Sequence, residues 1–264
     1  MNGWLLLQGL LGMSALMAFL WLVHLRIKNA AVVDVGWAAG LALLAILYAF
    51  QGDGLSFRRI AIACLAGLWG FRLALHLLVD RVIDQPEEGR YRELRDRWKT
   101  SVPAKFFVFF QFQAVLDVLL SIPFLLVALN PEPEISAIEI AGMILWALAF
   151  AGEAIADRQL RRFKADPANR GHVCRDGLWR YSRHPNYFFE WLIWVSYFLM
   201  ALPAPHGWIA AASPLLILFF LFRVTGIPAT EAQAVRSRGD LYREYQRTTS
   251  AFVPWFPLNT GVQR

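Results

Sequence analysis

Gly177-Leu178-Trp179-Arg180-Tyr181-Ser182-Arg183-His184-Pro185-Asn186-Tyr187 leads without a break into Phe188-Phe189-Glu190-Trp191-Leu192-Ile193-Trp194. A dense set of hydrogen-bonding side chains thus stands at the entry of a long apolar segment. Lipid offers no water to satisfy polar groups at that depth, so other groups must. A charged, hydrogen-bond-rich ligand at the mouth of a helix bundle would do so. Gly177 suits a turn, and Pro185 suits a first helical turn, where its missing N–H costs nothing. The helix start then presents free N–H groups and partial positive charge, which favour a phosphate or ribose. Arg183 and His184 add cationic donors, and Tyr181 and Tyr187 flank them. Asn186 carries both a donor and an acceptor, the complement of an amide such as nicotinamide. Glu190 follows one turn on along the same face, and Trp194 one turn further. A plain interfacial anchor accounts for Arg183, His184 and Tyr187 but leaves Glu190 an isolated acid below the interface.

Working outward, the 264 residues are 57% hydrophobic, above the roughly 45–50% of ordinary soluble domains. Only 17% are charged, and these cluster rather than interleave. The chain reads as all-α, an integral membrane bundle of about seven transmembrane helices. The apolar segments run approximately over 3–23, 30–50, 60–80, 106–129, 137–156, 186–204 and 207–225. Pro123 predicts a kink in the fourth. Residues 81–105 carry seven Lys or Arg and residues 158–185 carry eight, whereas 130–136 and 203–207 carry none. The positive-inside bias then puts loops 81–105 and 158–185 and the tail 226–264 in the cytoplasm, with the N-terminus outside. Arg58-Arg59 is the one dissenting pair, and snorkelling to the interface would reconcile it. No linker divides residues 1–264, which read as a single membrane-embedded domain.

The net charge of +6 sits in short loops beside the spans, which argues against nucleic acid as a partner. Residues 1–23 lack the basic start and small-residue cleavage site of a secretory signal. Cys64 and Cys174 lie far apart, the first in an apolar run and the second in a basic loop, so a disulfide is not expected. The histidines are scattered, and no metal-ligand spacing occurs.

Four further motifs carry candidate chemistry. Glu153, Asp157, Arg161 and Lys164 share one helical face, two acids followed by two cations. The acids suit ribose or amide groups and the cations suit phosphate; pairing among themselves at i,i+4 is the plainer alternative. Asp34, in Val33-Asp34-Val35-Gly36-Trp37, is an intramembrane acid and a functional candidate by default. The alternative is a structural acid paired with Arg72, which stands in Leu68-Trp69-Gly70-Phe71-Arg72. Asp80-Arg81 and Glu88-Gly89-Arg90-Tyr91-Arg92 form either a phosphate-binding loop or a solvated face. Gln111, Gln113 and Asp117 read as satisfied packing in the fourth span. Finally, Glu231 follows a helix break at Gly226-Ile227-Pro228. Tyr242, Tyr245 and Phe252-Val253-Pro254-Trp255 can fold the tail back over the mouth or simply anchor it.

Taken together, the Asp-Val-Gly-Trp, Glu-Gly-Arg-Tyr, Ala-Asp-Arg-Gln, Gly-Leu-Trp-Arg-Tyr-Ser-Arg-His-Pro-Asn-Tyr and Phe-Val-Pro-Trp segments resemble the bacterial DUF1295 group. That group is related to the steroid 5α-reductase C-terminal superfamily. The resemblance covers nearly the whole chain. The Arg-His-Pro-Asn-Tyr core is shared with sterol reductases, and a variant occurs in isoprenylcysteine carboxyl methyltransferases. It implies NADPH held between the spans and the cytoplasmic loops of a bacterial inner-membrane protein. Asn186 and Glu190 match the cofactor-binding Asn-x-x-x-Glu pair, and Trp194 a Trp beyond it. Asp157 and Lys164 match an acid and a base on the dinucleotide. Asp80 falls where the steroid reductases have an Asn, and Arg72 where they have an Arg. Asp34 falls roughly where they have a catalytic Glu. Three departures stand out: Trp69 occupies the neighbourhood of a substrate-polarising Tyr, the Asp34 region replaces the usual Gln-Glu pair, and Phe189 stands where Gly is common.

The resulting expectation is a membrane-embedded NADPH-dependent reductase of the C=C bond of an α,β-unsaturated ketone in a steroid-like or other lipid substrate. The catalytic candidates are Asp34, as a protonated acid at the carbonyl oxygen, and Trp37 and Trp69, as walls of the substrate slot. The cofactor candidates are Arg72, Asp80, Glu153, Asp157, Lys164, Tyr181, Arg183, His184, Asn186, Tyr187, Glu190, Trp194, Glu231 and Tyr242. One alternative is an S-adenosylmethionine-dependent isoprenylcysteine or lipid methyltransferase using the same Arg-His-Pro segment. Another is a non-enzymatic membrane protein with a vestigial site.

Overall fold

The computed structural model describes residues 3–87, 89–224 and 226–258. Glu88 of the Glu-Gly-Arg-Tyr motif, Thr225 and tail residues 259–264 lie outside the described residues. Among the described residues all regular elements are helical. Six stretches are long and apolar enough to cross a bilayer, which marks a membrane protein. The helix Pro185–Ala201 has 17 residues, the lower limit for a span. The helices pack as two compact units, Met1–Ser136 with Ala201–Ser213, and Ala137–Met200 with Pro214–Arg264.

In the first unit α1 (Gly3–Ile27), α2 (Val32–Gln51) and α3 (Ser56–Arg81) are followed by α4 (Gly89–Trp98), α5 (Val102–Leu120) and α6 (Ile122–Ala128). α2 is its centre, packing on α1, α3, α5 and α6. Its small side chains allow this: Ala38, Ala42 and Ala45 are fully buried. Opposite them, a Cβ on Gly70 would stand 2.6 Å from the Ala38 carbonyl oxygen, so the α2 and α3 backbones touch there. Close approach through small residues replaces the hydrophobic drive that lipid does not supply. The fourth apolar segment breaks at Ser121, between α5 and α6, with Pro123 in the first turn of α6. That is the expected kink: Pro123 has no N–H for the preceding turn. The Ser121 hydroxyl steadies the break by donating to the Val118 carbonyl at 2.9 Å.

Of the dissenting arginines, Arg58 turns inward and Arg59 stays half-buried. Arg58 is 1% exposed, and its guanidinium donates to the carbonyls of Glu132 and Glu134. Arg59 donates to the carbonyls of Ala49 (2.6 Å) and Phe50 (3.0 Å), capping the end of α2. Cys64, read from its apolar surroundings as a core residue, is exposed on α3; Cys174 is buried, and both thiols are free. An apolar run in a spanning helix has a lipid-facing side as well as a packed one, which is why Cys64 misleads.

The second unit holds α7 (Ala137–Ala165), then α8 (Pro185–Ala201) and α9 (Ala212–Arg223) apart from Ala201, Ala212 and Ser213, then α10 (Ile227–Arg238) and α11 (Asp240–Thr248). α7 and α8 run antiparallel. Gly142 meets Met200, the Trp146 indole donates to Tyr197 Oη at 3.0 Å, and Gly152 meets Phe189. The Asn186 amide then reaches Asp157 at 3.4 Å. Phe189 fits because Gly152 faces it.

Candidate functional site

The α7–α8 seam places the first group of candidate residues. Glu153 and Asp157, one turn apart on α7, are both buried. Asn186 stands in the first turn of α8 and faces Asp157 through Nδ2. Glu190 follows one turn further on α8 and is half-buried, and Trp194 is fully buried with its ring edge-on to Tyr197. Three carboxyl groups and one carboxamide therefore line one seam. They offer acceptors for hydroxyl groups and a donor–acceptor pair for an amide. Lys164 lies two turns beyond Asp157, exposed.

The connection into α8 is fixed from both sides. Gly177 has φ +58°, and a Cβ there would overlap the Gln159 carboxamide. That carboxamide oxygen accepts from the Leu178 N–H at 3.0 Å, and the Trp179 indole donates to the Ala156 carbonyl at 3.0 Å. Only glycine allows the chain to come so close in this left-handed turn. From the other side the tail clasps the same stretch. The Arg183 N–H donates to the Ser250 carbonyl (2.8 Å), the Ser182 hydroxyl to the Phe252 carbonyl (2.8 Å), and the Trp255 N–H to the Tyr181 carbonyl (2.9 Å). The tail thus folds back, as the Phe-Val-Pro-Trp motif suggested, through its backbone while the Trp255 ring stays exposed.

This clasp changes the role of two expected phosphate ligands. The Arg183 guanidinium donates to Glu231 Oε1 at 2.6 Å and to the carbonyls of Gln246 (2.9 Å) and Thr249 (2.5 Å). His184 Nε2 lies 3.3 Å from the same carboxylate oxygen, and Gln246 donates to the other at 2.8 Å. Arg183 therefore binds Glu231 and the tail, and His184 lies against the same carboxylate. Tyr187 stacks on His184 and approaches Thr230 Oγ1 at 3.4 Å. Tyr242, expected at the cofactor, is buried with Tyr245 and Ala234 beneath the clasp. Burial pushes both phenols above their usual range, so they stay protonated. Burial does the same to the Cys174 thiol, the mark of an inert cysteine.

The remaining candidates, Asp34, Trp37, Trp69, Arg72 and Asp80, belong to the first unit. Asp34 is held in the first turn of α2, not by Arg72 but by residues of the α3–α4 corner. Oδ2 accepts from Arg81 at 2.9 Å and from Arg90, and Oδ1 accepts from the Tyr91 hydroxyl at 2.6 Å. All three partners are donors, and two are cations. That set selects the carboxylate and leaves Asp34 no proton to give, contrary to the role of a protonated acid. Arg72 misled because it is the nearest cation in an apolar run, whereas Arg81 and Arg90 arrive through a loop. The loop is docked by a second pair: Glu87 Oε1 accepts from the Ala30 N–H and from Arg95 Nη2 at 2.8 Å. Burial opposes ionisation of Glu87, but these bonds outweigh it and hold the carboxyl below its usual range. Trp37 and Trp69 meet edge-to-face at 6.1 Å, Trp69 fully buried. Asp80 is exposed at the end of α3.

Asp117 is the polar residue that the sequence reading misjudged. It is 0% exposed, both carboxyl oxygens lack a hydrogen-bond partner among the described residues, and it lies beside Gly40. Gln111, by contrast, donates to the Ser14 carbonyl at 3.2 Å, as satisfied packing requires.

Comparison with known proteins adds family membership. An uncharacterized protein of Schizosaccharomyces pombe (strain 972 / ATCC 24843) is 27% identical over 268 residues, covering 89% of this chain and 75% of the relative. No solved structure matches. The family described as "Protein of unknown function (DUF1295)" matches residues 20–249, from α1 through the clasped turn to α11. The chain is therefore a member of the DUF1295 family.

Proposed function

We propose that this membrane protein is an NADPH-dependent reductase acting on the C=C bond of an α,β-unsaturated ketone in a steroid-like or other lipid substrate. The observation that carries the reading is the α7–α8 seam, where Asp157 faces Asn186, with buried Glu153 one turn away on α7 and Glu190 and Trp194 further along α8. The donor set fits a dinucleotide. Carboxylates accept from ribose hydroxyls, and a carboxamide can pair with the nicotinamide amide in both senses. Lys164 supplies a cation for a phosphate; Arg183 and His184 instead hold the turn that presents Asn186. NADPH, when bound, supplies a hydride. The protein binds it, orients it and keeps water away. In the first unit, half-buried Trp37 offers an apolar surface for a lipid-like substrate with Trp69 packed behind it, and Asp34 positions the α3–α4 corner. The loops bearing the arginines lie in the cytoplasm on this reading, on the side where NADPH is supplied.

The test is titration of purified protein with NADPH and, separately, with S-adenosylmethionine. NADPH should bind, and Asn186→Ala should weaken it by roughly 5–150-fold, the cost of about 1–3 kcal/mol for a lost buried hydrogen bond. Tight binding of S-adenosylmethionine with none of NADPH would transfer the site to methyl transfer.

A further inference from the structure

α7 ends in three arginines with no role in the seam. Arg158, Arg161 and Arg162 are exposed, and none forms a hydrogen bond or ion pair with another described residue. With Ala165 they line one concavity of about 450 Å³. Their i,i+3 and i,i+4 spacings set like charges side by side, which is unfavourable in a helix without a counterion. The sequence reading offered Glu153 and Asp157 as partners, but those acids turn into the seam. An anion from outside the chain would balance the cluster.

The helix face says where that anion comes from. Ile140, Ile144, Leu148 and Ile155 are the large apolar side chains that α7 leaves exposed. At about 100° per residue, these four fall with Arg158 and Arg162 in one sector about 80° wide; Arg161 lies about 60° outside it, on the side of Asp157. The stripe that meets acyl chains along the span thus continues into the arginines at its end. Two guanidiniums in register with a lipid-facing stripe, with a third beside them, match a phospholipid: chains along the isoleucines, phosphate against the arginines. We infer that Arg158, Arg161 and Arg162 form a headgroup site for an anionic phospholipid.

The experiment uses the full chain in phosphatidylcholine vesicles with and without phosphatidylglycerol. After extraction into neutral detergent, retained lipid is counted by native mass spectrometry. Wild type should retain phosphatidylglycerol in preference to phosphatidylcholine. An arginine near a membrane surface contributes about fivefold in affinity, so the triple Arg→Gln variant should lower the preference on the order of a hundredfold. The triple Arg→Lys variant keeps the charge and should keep most of the preference. Its Tm also shows whether the positions tolerate change. Equal retention by the wild type and the Gln variant would overturn the assignment. So would a Gln variant that keeps its lipid preference and loses NADPH, since the arginines would then belong to a nucleotide phosphate. Because the lipid readout needs no turnover, it stands whether or not the reductase reading does.

Discussion

Replacing Asp34 separates a structural acid from a catalytic one. Its carboxylate receives three donors, and the side chains of Asp34, Arg81 and Arg90 are 18%, 28% and 33% exposed. In Asp34→Asn the amide oxygen can keep both guanidiniums while the NH2 turns to the Tyr91 hydroxyl, which can accept as well as donate. The bonds survive and the charge is lost. A hydrogen bond to a charged acceptor contributes about 1.5–3 kcal/mol and a neutral one about 0.5–1.5, so two guanidinium bonds lose about 2 kcal/mol. Partial exposure lowers this to about 1–2 kcal/mol. Asp34→Ala removes the acceptor altogether and leaves two cations facing each other. Breaking a fully buried pair costs about 3–5 kcal/mol, and partial exposure puts this site near 3. For a chain of this length 1 kcal/mol moves Tm by roughly 2–4 °C. The expected drops are then about 2–8 °C for Asn and about 6–12 °C for Ala. Thermal melts in detergent should be read beside single-turnover NADPH oxidation with an enone. An Asn variant that melts with the wild type would refute the structural role. If it also lost turnover, Asp34 would be the acid after all.

Two further outcomes follow from the geometry. Glu231→Ala leaves Arg183, whose side chain is 10% exposed, without its carboxylate, and should loosen the clasp. Hydrogen exchange should rise at Arg183 and Trp255, whose N–H groups make the clasp, and remain slow along α7; unchanged exchange at those two amides would contradict the role given to Glu231. Single cysteines at Gln85 and Ala168, with Cys64 and Cys174 removed, should be shielded from an impermeant thiol reagent in intact cells. Labelling of either position from outside would invert the orientation.

Much of the fold is legible because a spanning helix must be apolar over its whole length. The signals at Pro123 and Pro185 act within one turn, and the structure breaks or starts helices at both. The Gly177–Tyr187 stretch was recognisable as a built turn for the same reason. What could not be read was pairing over distance. Asp34 finds Arg81 and Arg90 through a loop whose course periodicity does not describe. Arg58 is buried by carbonyls more than seventy residues away, and carbonyls have no letter in a sequence. Arg183 looked like a phosphate ligand because its residue type is right for one. Its claim by Glu231 and the tail depends on tertiary folding alone.

The clasp between residues 181–183 and 250–255 has a consequence for biogenesis. Its two halves are separated in the chain by α8 and α9, so neither can find the other until both helices have been synthesised. The turn carrying Asn186 is therefore fastened late, once the chain has reached the tail that closes it. A chain in which α9 failed to insert would synthesise every residue of the seam yet leave that turn unfastened. Closure of the clasp thus couples the shape of the seam to completion of the chain that follows it.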